Sequence, residues 1–405
     1  MFRLKGETML NSKETIALFD QYVIGNYTRY PVALVRGSGS EVWDADGKRY
    51  IDFFPGWGCG LYGHCPKPIV EAVQQQVARL IHVPNTWYTE LQGTWARLLS
   101  ERSFGGKAFF CNSGAEANEA AIKLVRLHVS TTSSSGRYKI LTFQGSFHGR
   151  TMGALSATAQ PKYHEGLTPM LAGFTYVPYG DLAAAESVID HETAAIMIEP
   201  IQGEGGVRMP PEGFLEGLRK LCDDRNLLLV FDEVQTGCGR TGHWFGYQYF
   251  GVEPDIMTLA KTVSGSLPGA AMLAKPDIAA SLRPGMHAAT YGGNPISAAA
   301  GIAAVRMIES EKLLERTQTI SNLFFTTLQQ LAKESNLVQE VRGAGVMIGV
   351  ELAIEGAPFV QACMDRGLLI NCTQGNVLRL LPAMNIEEKL AAEGLNILCD
   401  VLKKG

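Results

Sequence analysis

Short apolar segments alternate with amphipathic segments through the middle of this chain of 405 residues. Five of them, between about residues 60 and 275, have the length and composition of buried strands: 108–111, 140–143, 195–198, 227–231 and 256–259. Stretches with helical spacing lie between them, for example 115–128 and 212–225. Strands that alternate with helices form mostly parallel sheets with helices on both faces, so the pattern predicts an α/β fold.

The N-terminal part shows a different pattern. Asn11 followed by Glu14 has the form of a capping box, which predicts a helix through Gln21. Farther along the chain, alternating apolar residues flank an Asp46-Gly47 turn, and this arrangement is typical of a β-hairpin.

The pattern changes again after about residue 298, where two long helices (298–309 and 313–334) precede short strands around 341–352 and 377–381. This order indicates a separate, smaller α+β domain. We therefore expect three parts: an N-terminal segment (1–55) that packs with the small domain, a large domain (56–297) that contains the central sheet, and the C-terminal small domain (298–405).

Composition limits the possible partners. The net charge is -4 and 19% of the residues are charged, so we expect neither a basic surface for nucleic acid nor a polybasic patch for a membrane. The sequence has no signal-peptide-like start and no apolar run of about 18 residues, and its eight cysteines include no C-x-x-C pair. These features predict a cytoplasmic protein with reduced thiols, in which an anionic ligand must be bound by a local site.

A candidate for such a local site follows the predicted strand 108–111. Ser113 and Glu116 have the spacing of a capping box, so a helix should begin here, and Gly114 would let a ligand approach the backbone. A helix N-terminus after a strand offers free N–H groups and a favourable dipole to a phosphate. A well-capped helix without a ligand has the same sequence features, so the segment alone does not distinguish the two.

Two further candidates stand at the ends of later strands. Asp232 follows the apolar segment 227–231, and Lys261 follows 256–259. Singly, they could be a solvated strand end and a surface lysine, but both should face the crevice at the carboxyl edge of the sheet, together with the phosphate site. Pyridoxal phosphate requires these three parts: a phosphate anchor, an acid for the pyridine nitrogen and an amine for the aldehyde. The combination predicts a pyridoxal-phosphate enzyme.

Six motifs make the chain resemble the class III aminotransferases of fold type I over nearly its full length. They are NSGAEANEAA (112–121), SFHGRT (146–151), EPIQGEGG (199–206), FDEVQTGCGRTG (231–242), LAK (259–261) and TYGGNP (290–295). Within the family the chain is most similar to the acetylornithine subgroup, on the segments 46–53, 63–64 and 377–382. The resemblance implies transfer of an amino group from N2-acetylornithine to 2-oxoglutarate, which gives N-acetylglutamate 5-semialdehyde and glutamate, in arginine biosynthesis.

The resemblance also implies roles in cofactor binding. Lys261 would form an imine with the cofactor, Asp232 would pair with the pyridine nitrogen, and Phe147 would stack on the ring. The remaining cofactor contacts are expected from Ser113, Gly114, Ala115, Glu233, Val234, Gln235 and Thr290. Thr290 is expected to act from the partner subunit, which implies a homodimer with shared active sites.

Substrate roles follow from the same resemblance. Arg150 would bind the α-carboxylate of acetylornithine and Arg379 that of glutamate, because the guanidinium fork binds a carboxylate through two hydrogen bonds. Glu204 would pair with Arg379 when no carboxylate is bound. Each arginine could instead form an ordinary surface or interdomain salt bridge.

Several positions depart from the family pattern and concern the choice of amine donor. Trp57 stands where relatives have Ile or Tyr, and Ala289 removes a hydroxyl that is expected to contact the substrate carboxylate. Tyr27 matches an aromatic residue that lines the pocket in ornithine-type relatives. Ornithine, succinylornithine and 4-aminobutyrate are therefore alternative donors, although Arg150 disfavours 4-aminobutyrate, which has no second carboxylate.

Two other enzyme classes fit the sequence less well. Residues 237–242 fit the G-x-G-x-x-G pattern of dehydrogenases, but residues 232–236 separate them from their strand and no helix is predicted directly after them. A metallohydrolase would need clustered ligands, yet the eight histidines are scattered and no H-E-x-x-H occurs. We therefore predict no metal site.

Overall fold

The structure is a computed structural model that describes residues 10–132 and 136–404. The helices of these residues are α1 (Ser12–Tyr22), α2 (Lys67–Val77), α3 (Glu90–Arg102), α4 (Gly114–Thr132), α5 (Met152–Ala157), α6 (Leu182–Ser187), α7 (Phe214–Arg225), α8 (Gly246–Phe250), α9 (Pro276–Ala279), α10 (Pro295–Ser310), α11 (Leu313–Glu334), α12 (Ala357–Asp365) and α13 (Glu388–Lys404). The strands are β1 (Leu34–Ser38), β2 (Glu41–Asp44), β3 (Arg49–Asp52), β4 (Lys107–Cys111), β5 (Lys139–Phe143), β6 (Phe174–Val177), β7 (Thr193–Ile198), β8 (Leu228–Asp232), β9 (Ile256–Leu259), β10 (Ala270–Ala274), β11 (Val338–Ala344), β12 (Met347–Leu352), β13 (Leu368–Leu369), β14 (Asn371–Thr373) and β15 (Val377–Leu380).

A seven-stranded sheet with the order β4-β10-β9-β8-β7-β5-β6 forms the centre of the fold. Neighbouring strands from β9 to β6 pair in parallel, whereas β10 is antiparallel to both of its neighbours. The prediction of a mostly parallel sheet is thus confirmed, and all five predicted strands are present with ends that differ by two residues or fewer.

Two strands of this sheet, β6 and β10, were not predicted from the sequence. The sequence of β10 is AAMLA, and alanine and leucine favour helices over strands. In the structure all five of its residues are buried between β4 and β9. Burial between two paired neighbours therefore outweighs the low intrinsic strand propensity of this segment.

Both faces of the central sheet are covered. Within β7, Ile196 and Ile198 belong to one hydrophobic cluster, whereas Ala195 and Met197 belong to a second. The first cluster includes the buried residues of α7, and the second includes most of those of α4. Because successive side chains of a strand point to opposite faces, α4 and α7 cover different faces, as predicted.

Two smaller sheets contain the remaining strands, in the orders β1-β2-β3-β13 and β11-β12-β15-β14. In the first, β2 and β3 form the predicted hairpin, and β13 from the C-terminal part pairs with β3. This pairing supports an N-terminal segment that packs with the small domain. The domain limits themselves stay predictions, and a boundary at residue 298 would divide α10, which begins at Pro295.

The N-terminal helix begins as its sequence predicts. The Asn11 side chain accepts a hydrogen bond from the N–H of Glu14, and the Glu14 carboxylate accepts one from the N–H of Asn11. In the described ranges, no helix combines the length and apolar character that a membrane crossing needs.

Candidate active site

A cavity of about 520 Å³ lies at the carboxyl edge of the central sheet. Asp232 ends β8, Lys261 follows β9 after one residue, and Gly114 begins α4 shortly after β4. All three residues line the cavity, because the ends of parallel strands meet at one edge of a sheet. The volume is suited to a cofactor or a small substrate.

The N-terminus of α4 forms one wall of the cavity. The Ser113 hydroxyl accepts a hydrogen bond from the N–H of Glu116 (3.3 Å), and the Glu116 carboxylate accepts one from the N–H of Asn112 (2.8 Å). The predicted capping box is thus shifted, since the carboxylate accepts from the backbone N–H of Asn112 and, from Ser113, only the hydroxyl hydrogen bond (3.2 Å). Among the described residues the N–H groups of Gly114 and Ala115 have no acceptor, so they and the helix dipole remain available to an anion.

Asp232 is buried in the cavity wall and fixed by three hydrogen bonds. Its Oδ2 accepts from Asn118 Nδ2 (2.7 Å) and lies 2.8 Å from His148 Nδ1, while its Oδ1 accepts from the N–H of Val234 (3.0 Å). A buried carboxylate is costly unless it is hydrogen-bonded. These bonds hold one orientation of Asp232 without occupying all of its acceptor capacity, so a cationic group in the cavity could pair with it.

Asn118, His148 and Glu199 are cavity residues to which the sequence analysis gave no role. All three are buried, and Glu199 accepts hydrogen bonds from the N–H groups of Phe147 (3.0 Å) and Gly203 (3.1 Å). Burial raises the pKa of Glu199 to about 7, although His148 opposes this rise. A signal existed, since each residue lies within one of the motifs that carried the family resemblance.

Lys261 lies on the cavity wall in an unusual backbone conformation. Its φ is 51°, which is the left-handed region that residues other than glycine seldom adopt. Burial lowers the pKa of its ammonium group, with Glu204 acting in the opposite direction and Arg379 adding to the decrease. A larger neutral fraction makes the amine a better nucleophile. Strain and desolvation at a cavity-facing lysine are typical of a functional residue.

Arg379 and Glu204 form an ion pair at the cavity. Arg379 Nη1 donates to Glu204 Oε1 at 2.6 Å, and the guanidinium also donates to Asn371 Oδ1 (3.0 and 3.2 Å). Burial alone would raise the pKa of Glu204, but the adjacent Arg379 outweighs this effect and lowers it. The structure therefore contains the ion pair that the resemblance implies, and a substrate carboxylate could replace Glu204 on Arg379.

Two residues assigned to the cofactor do not line the cavity of a single chain. The Glu233 carboxylate points away and accepts from the N–H groups of Gly246 (2.5 Å) and Tyr247 (2.6 Å) at the start of α8. The Glu233 carboxylate therefore caps a helix, on the side opposite Asp232, and the role of Glu233 in cofactor binding stays a prediction. Thr290 is exposed, which is compatible with a role in a partner's site, and that role stays a prediction.

The predicted substrate residues divide into two groups. Arg150 lines the cavity, and its guanidinium carbon lies 3.9 Å from the ring centroid of Tyr163. Glu204 also lines the cavity, whereas Arg379, Ala289, Tyr27 and Trp57 lie outside its lining. Arg379 is next to the lining through its ion pair with Glu204. The rings of Tyr27 and Trp57 are 5.8 Å apart, and both side chains are about half exposed. The rim of the site is therefore open to solvent in a single chain.

Gln235 indicates that the cavity accommodates a further group. Its Oε1 is buried at the cavity wall without a hydrogen-bond partner among the described residues. An unpaired buried amide oxygen costs about 1–3 kcal/mol, which a ring hydroxyl would recover. The α4 N-terminus suits a phosphate, Asp232 a ring nitrogen and Lys261 an aldehyde, so the residues fit pyridoxal phosphate.

Comparisons with known sequences agree with this geometry. Residues 22–402 match the family model described as aminotransferase class-III. The acetylornithine aminotransferase of Caldanaerobacter subterraneus subsp. tengcongensis is 48% identical over 385 residues, which cover 95% of this chain and 98% of that protein.

Solved structures show the same fold. The ornithine aminotransferase of Toxoplasma gondii, whose active site holds pyridoxal phosphate at partial occupancy, matches with a TM-score of 0.94 and 30% identity over 98% of this chain and 96% of that one. The acetylornithine aminotransferase of Elizabethkingia anophelis matches with a TM-score of 0.87 and 32% identity over 98% of this chain and 100% of that one. The fold expected from the resemblance is confirmed.

Proposed function

The chain belongs to the class III aminotransferases, and we propose that it transfers the amino group of N2-acetyl-L-ornithine to 2-oxoglutarate. The products are N-acetylglutamate 5-semialdehyde and L-glutamate, as in arginine biosynthesis. The enzyme uses pyridoxal phosphate, as its family does. The extensive identity to a relative named acetylornithine aminotransferase supports this donor over ornithine, succinylornithine or 4-aminobutyrate.

The observation that carries the proposal is that one arginine lines the cavity and a second is paired with Glu204, which also lines it. Arg379 is 1% exposed and paired with Glu204, whereas Arg150 is exposed at the cavity wall. Two substrates must use the cavity in turn, and each has an α-carboxylate at a different distance from its reacting amine. A shielded arginine for glutamate and an open one for acetylornithine would meet this requirement.

Lys261 carries the central step of the proposed reaction. When bound, pyridoxal phosphate supplies an electron sink for the charge that develops on the substrate carbon. Lys261 Nζ, whose pKa burial lowers, can then accept the proton from the amine-bearing carbon. General-base catalysis of this kind contributes about 10²–10⁴-fold to the rate. The Asp232 carboxylate stabilises a positive charge at its side of the cavity, and Phe147 covers part of the wall.

We also infer a homodimer in which Thr290 completes the partner's site. Several large apolar side chains of the single chain are more than half exposed, among them Trp87 (69%), Tyr88 (106%) and Tyr291 (59%). Exposed aromatic residues in such number are typical of a protein–protein interface. Light scattering of the purified enzyme should give twice the mass of the chain, and a stable monomer with full activity would exclude shared sites.

Half-reactions of the purified enzyme test the donor assignment. Acetylornithine, ornithine, 4-aminobutyrate and glutamate are added separately without a keto acid, and the loss of the visible absorbance of the bound cofactor is followed. Acetylornithine and glutamate should react fast, and ornithine and 4-aminobutyrate slowly. A faster reaction with ornithine or 4-aminobutyrate than with acetylornithine would identify that amine as the donor and would leave the family assignment unchanged.

A further inference from the structure

Arg240 is buried at the centre of the glycine-rich segment 237–242, and the proposed reaction gives this segment no role. Its side chain is 0% exposed. The guanidinium donates to carbonyl oxygens, those of Gly58 (2.6 Å), Leu381 (3.4 Å) and Val346 (3.5 Å), and its Nε–H has no acceptor among the described residues. Burial lowers the pKa of Arg240 to about 10, so it stays cationic at neutral pH. A buried cation with carbonyl partners is costly and calls for an explanation.

The three carbonyls belong to segments that are distant in sequence. Gly58 ends a short 3-10 helix (Pro55–Gly58) before α2, and Val346 lies between β11 and β12. Leu381 directly follows β15, which contains Arg379. The backbone takes part as well, since the carbonyl of Arg240 accepts from the N–H of Val346 (2.9 Å). Arg240 therefore joins the turn at the rim of the site to the strand that carries the predicted glutamate-binding arginine.

The turn that Arg240 holds is strained. Gly56, Trp57 and Gly58 have consecutive φ values of 57°, 53° and 88°. Tryptophan rarely adopts this left-handed conformation, which persists only when the surrounding structure fixes it. Two hydrogen bonds anchor the end of the turn: Arg240 binds the carbonyl of Gly58, and the Ser266 hydroxyl donates to the carbonyl of Cys59 (2.7 Å).

We propose that Arg240 is a positioning residue for the amine donor: by holding the carbonyl of Gly58, it fixes Trp57 at the rim and so sets how well the enzyme distinguishes an acylated from a free diamino acid. The inference rests on the proposed function and deepens it. Arg240 does not line the cavity, so it acts through the turn and not by touching the substrate.

The ratio of kcat/KM for acetylornithine to kcat/KM for ornithine tests this role, because a ratio does not depend on the fraction of active enzyme. Arg240→Gln should lower the ratio about tenfold or more, since a small displacement of a positioning group is amplified in the rate. Arg240→Lys keeps a cation and a donor for the nearest carbonyl, so its ratio should lie between those of the wild type and Arg240→Gln. An equal loss for both donors, with the ratio unchanged, would overturn the proposal.

Arg137→Gln is the matched control. Arg137 also donates to two carbonyls, those of Arg225 (3.2 Å) and Asn226 (2.9 Å), but at the opposite edge of the sheet, before β5 and β8 begin. This variant should leave the ratio unchanged, so a decrease equal to that of Arg240→Gln would contradict a specific role. If the wild type prefers ornithine, the proposed donor is refuted. The role of Arg240 is then tested by the ratio of kcat/KM for ornithine to kcat/KM for acetylornithine: a decrease in Arg240→Gln would support it, and an unchanged ratio would overturn it.

A second variant displaces the turn from its other end. A Cβ at Gly58 would lie 3.1 Å from Leu381 Cδ1 and 3.4 Å from Arg240 Nη2, at a φ that disfavours alanine. Gly58→Ala should therefore lower the same ratio, and the double variant should show no more than the larger single effect. Fully additive effects on the ratio would mean that the two residues act separately, and would overturn the proposal.

The thiol of Cys59 gives a readout that does not depend on activity. It follows Gly58 and lines the cavity, and the loss of a hydrogen bond to a charged group should make the turn open more often. Alkylation of Cys59, measured by mass spectrometry relative to Cys399, should be about tenfold faster in Arg240→Gln than in the wild type. An unchanged relative rate would show that Arg240 does not hold the turn.

Discussion

The floor and the rim of the cavity are built in different ways. At the floor, Asp232 and Lys261 stand at or next to the ends of buried strands, and Asp232 is fixed by three hydrogen bonds within the chain. At the rim, Tyr27 and Trp57 are about half exposed and contact each other. We infer that the sheet determines the type of reaction, whereas a few half-exposed side chains at the rim, with Trp57 held through its turn by Arg240, determine which amine reacts.

The largest effect is expected from Lys261→Ala at the floor. Among the residues that the structure describes, Lys261 is the one lysine that lines the cavity, so the variant should lose both the amine that binds the cofactor and the general base. We expect transamination to fall by about 10⁴-fold or more, measured as glutamate formation. Lys220→Ala, which removes a surface lysine of α7, should keep full activity. Substantial turnover by Lys261→Ala would show that the reaction does not depend on this residue of the floor.

Asp232→Asn should have the next largest effect. Asparagine retains the shape of the side chain but lacks the negative charge that would pair with the ring nitrogen. The rate should fall by about 10²–10³-fold while part of the cofactor stays bound, measured by steady-state kinetics and equilibrium dialysis. Asp224→Asn on the surface of α7 is the control and should leave both quantities unchanged. An unchanged rate in Asp232→Asn would exclude its charge from the reaction.

At the rim, Trp57→Ile should change preference and not mechanism. This substitution introduces a residue that the family resemblance implies at this position, and it removes the ring contact with Tyr27. The ratio of kcat/KM for acetylornithine to that for ornithine should change about tenfold, because differences in apolar contact discriminate substrates modestly. The glutamate half-reaction should keep its rate and serves as the internal control. Equal decreases with all donors would place Trp57 in the common machinery of the floor.

The smallest expected effect concerns stability and comes from Glu199 behind the floor. Burial raises the pKa of this carboxyl from 4.5 to about 7 in the folded protein. Its contribution to stability is fully present below pH 4.5 and is lost as the pH rises from 4.5 through 7, because the unfolded chain releases the proton first. The Tm of Glu199→Gln should therefore increase relative to that of the wild type as the pH rises from 4.5 to 7. Glu216→Gln, at an exposed position of α7, provides the reference. A Tm difference that is constant with pH would contradict the assigned burial effect.

The fold could be predicted where its pattern is local. The strands β5, β7, β8 and β9 are apolar runs between helical segments, and the sequence indicates each of them directly. In contrast, β13 and β14 contain two and three residues, and β13 is a strand only because it pairs with β3 from the other end of the chain. Such strands depend on tertiary contacts that no local pattern contains.

For the site residues, too, local sequence patterns allowed a prediction, whereas tertiary contacts did not. Asp232 and Lys261 could be identified because their position at strand ends is visible in the sequence. The direction of the Glu233 side chain could not be predicted, since adjacent side chains at a strand end face opposite sides and only the structure shows which one faces the cavity. Arg240 received no role because its three carbonyl partners come from distant segments.

The most direct test of the central claim, that Lys261 binds the cofactor at this floor, is chemical trapping. Reduction of the purified holoenzyme with borohydride makes the link between cofactor and protein permanent, and mass spectrometry of the digested chain then identifies the modified residue. Cofactor binding by Lys261 predicts modification of Lys261 and of no other lysine. Cofactor attached to a different lysine, in enzyme that was fully active before reduction, would contradict it.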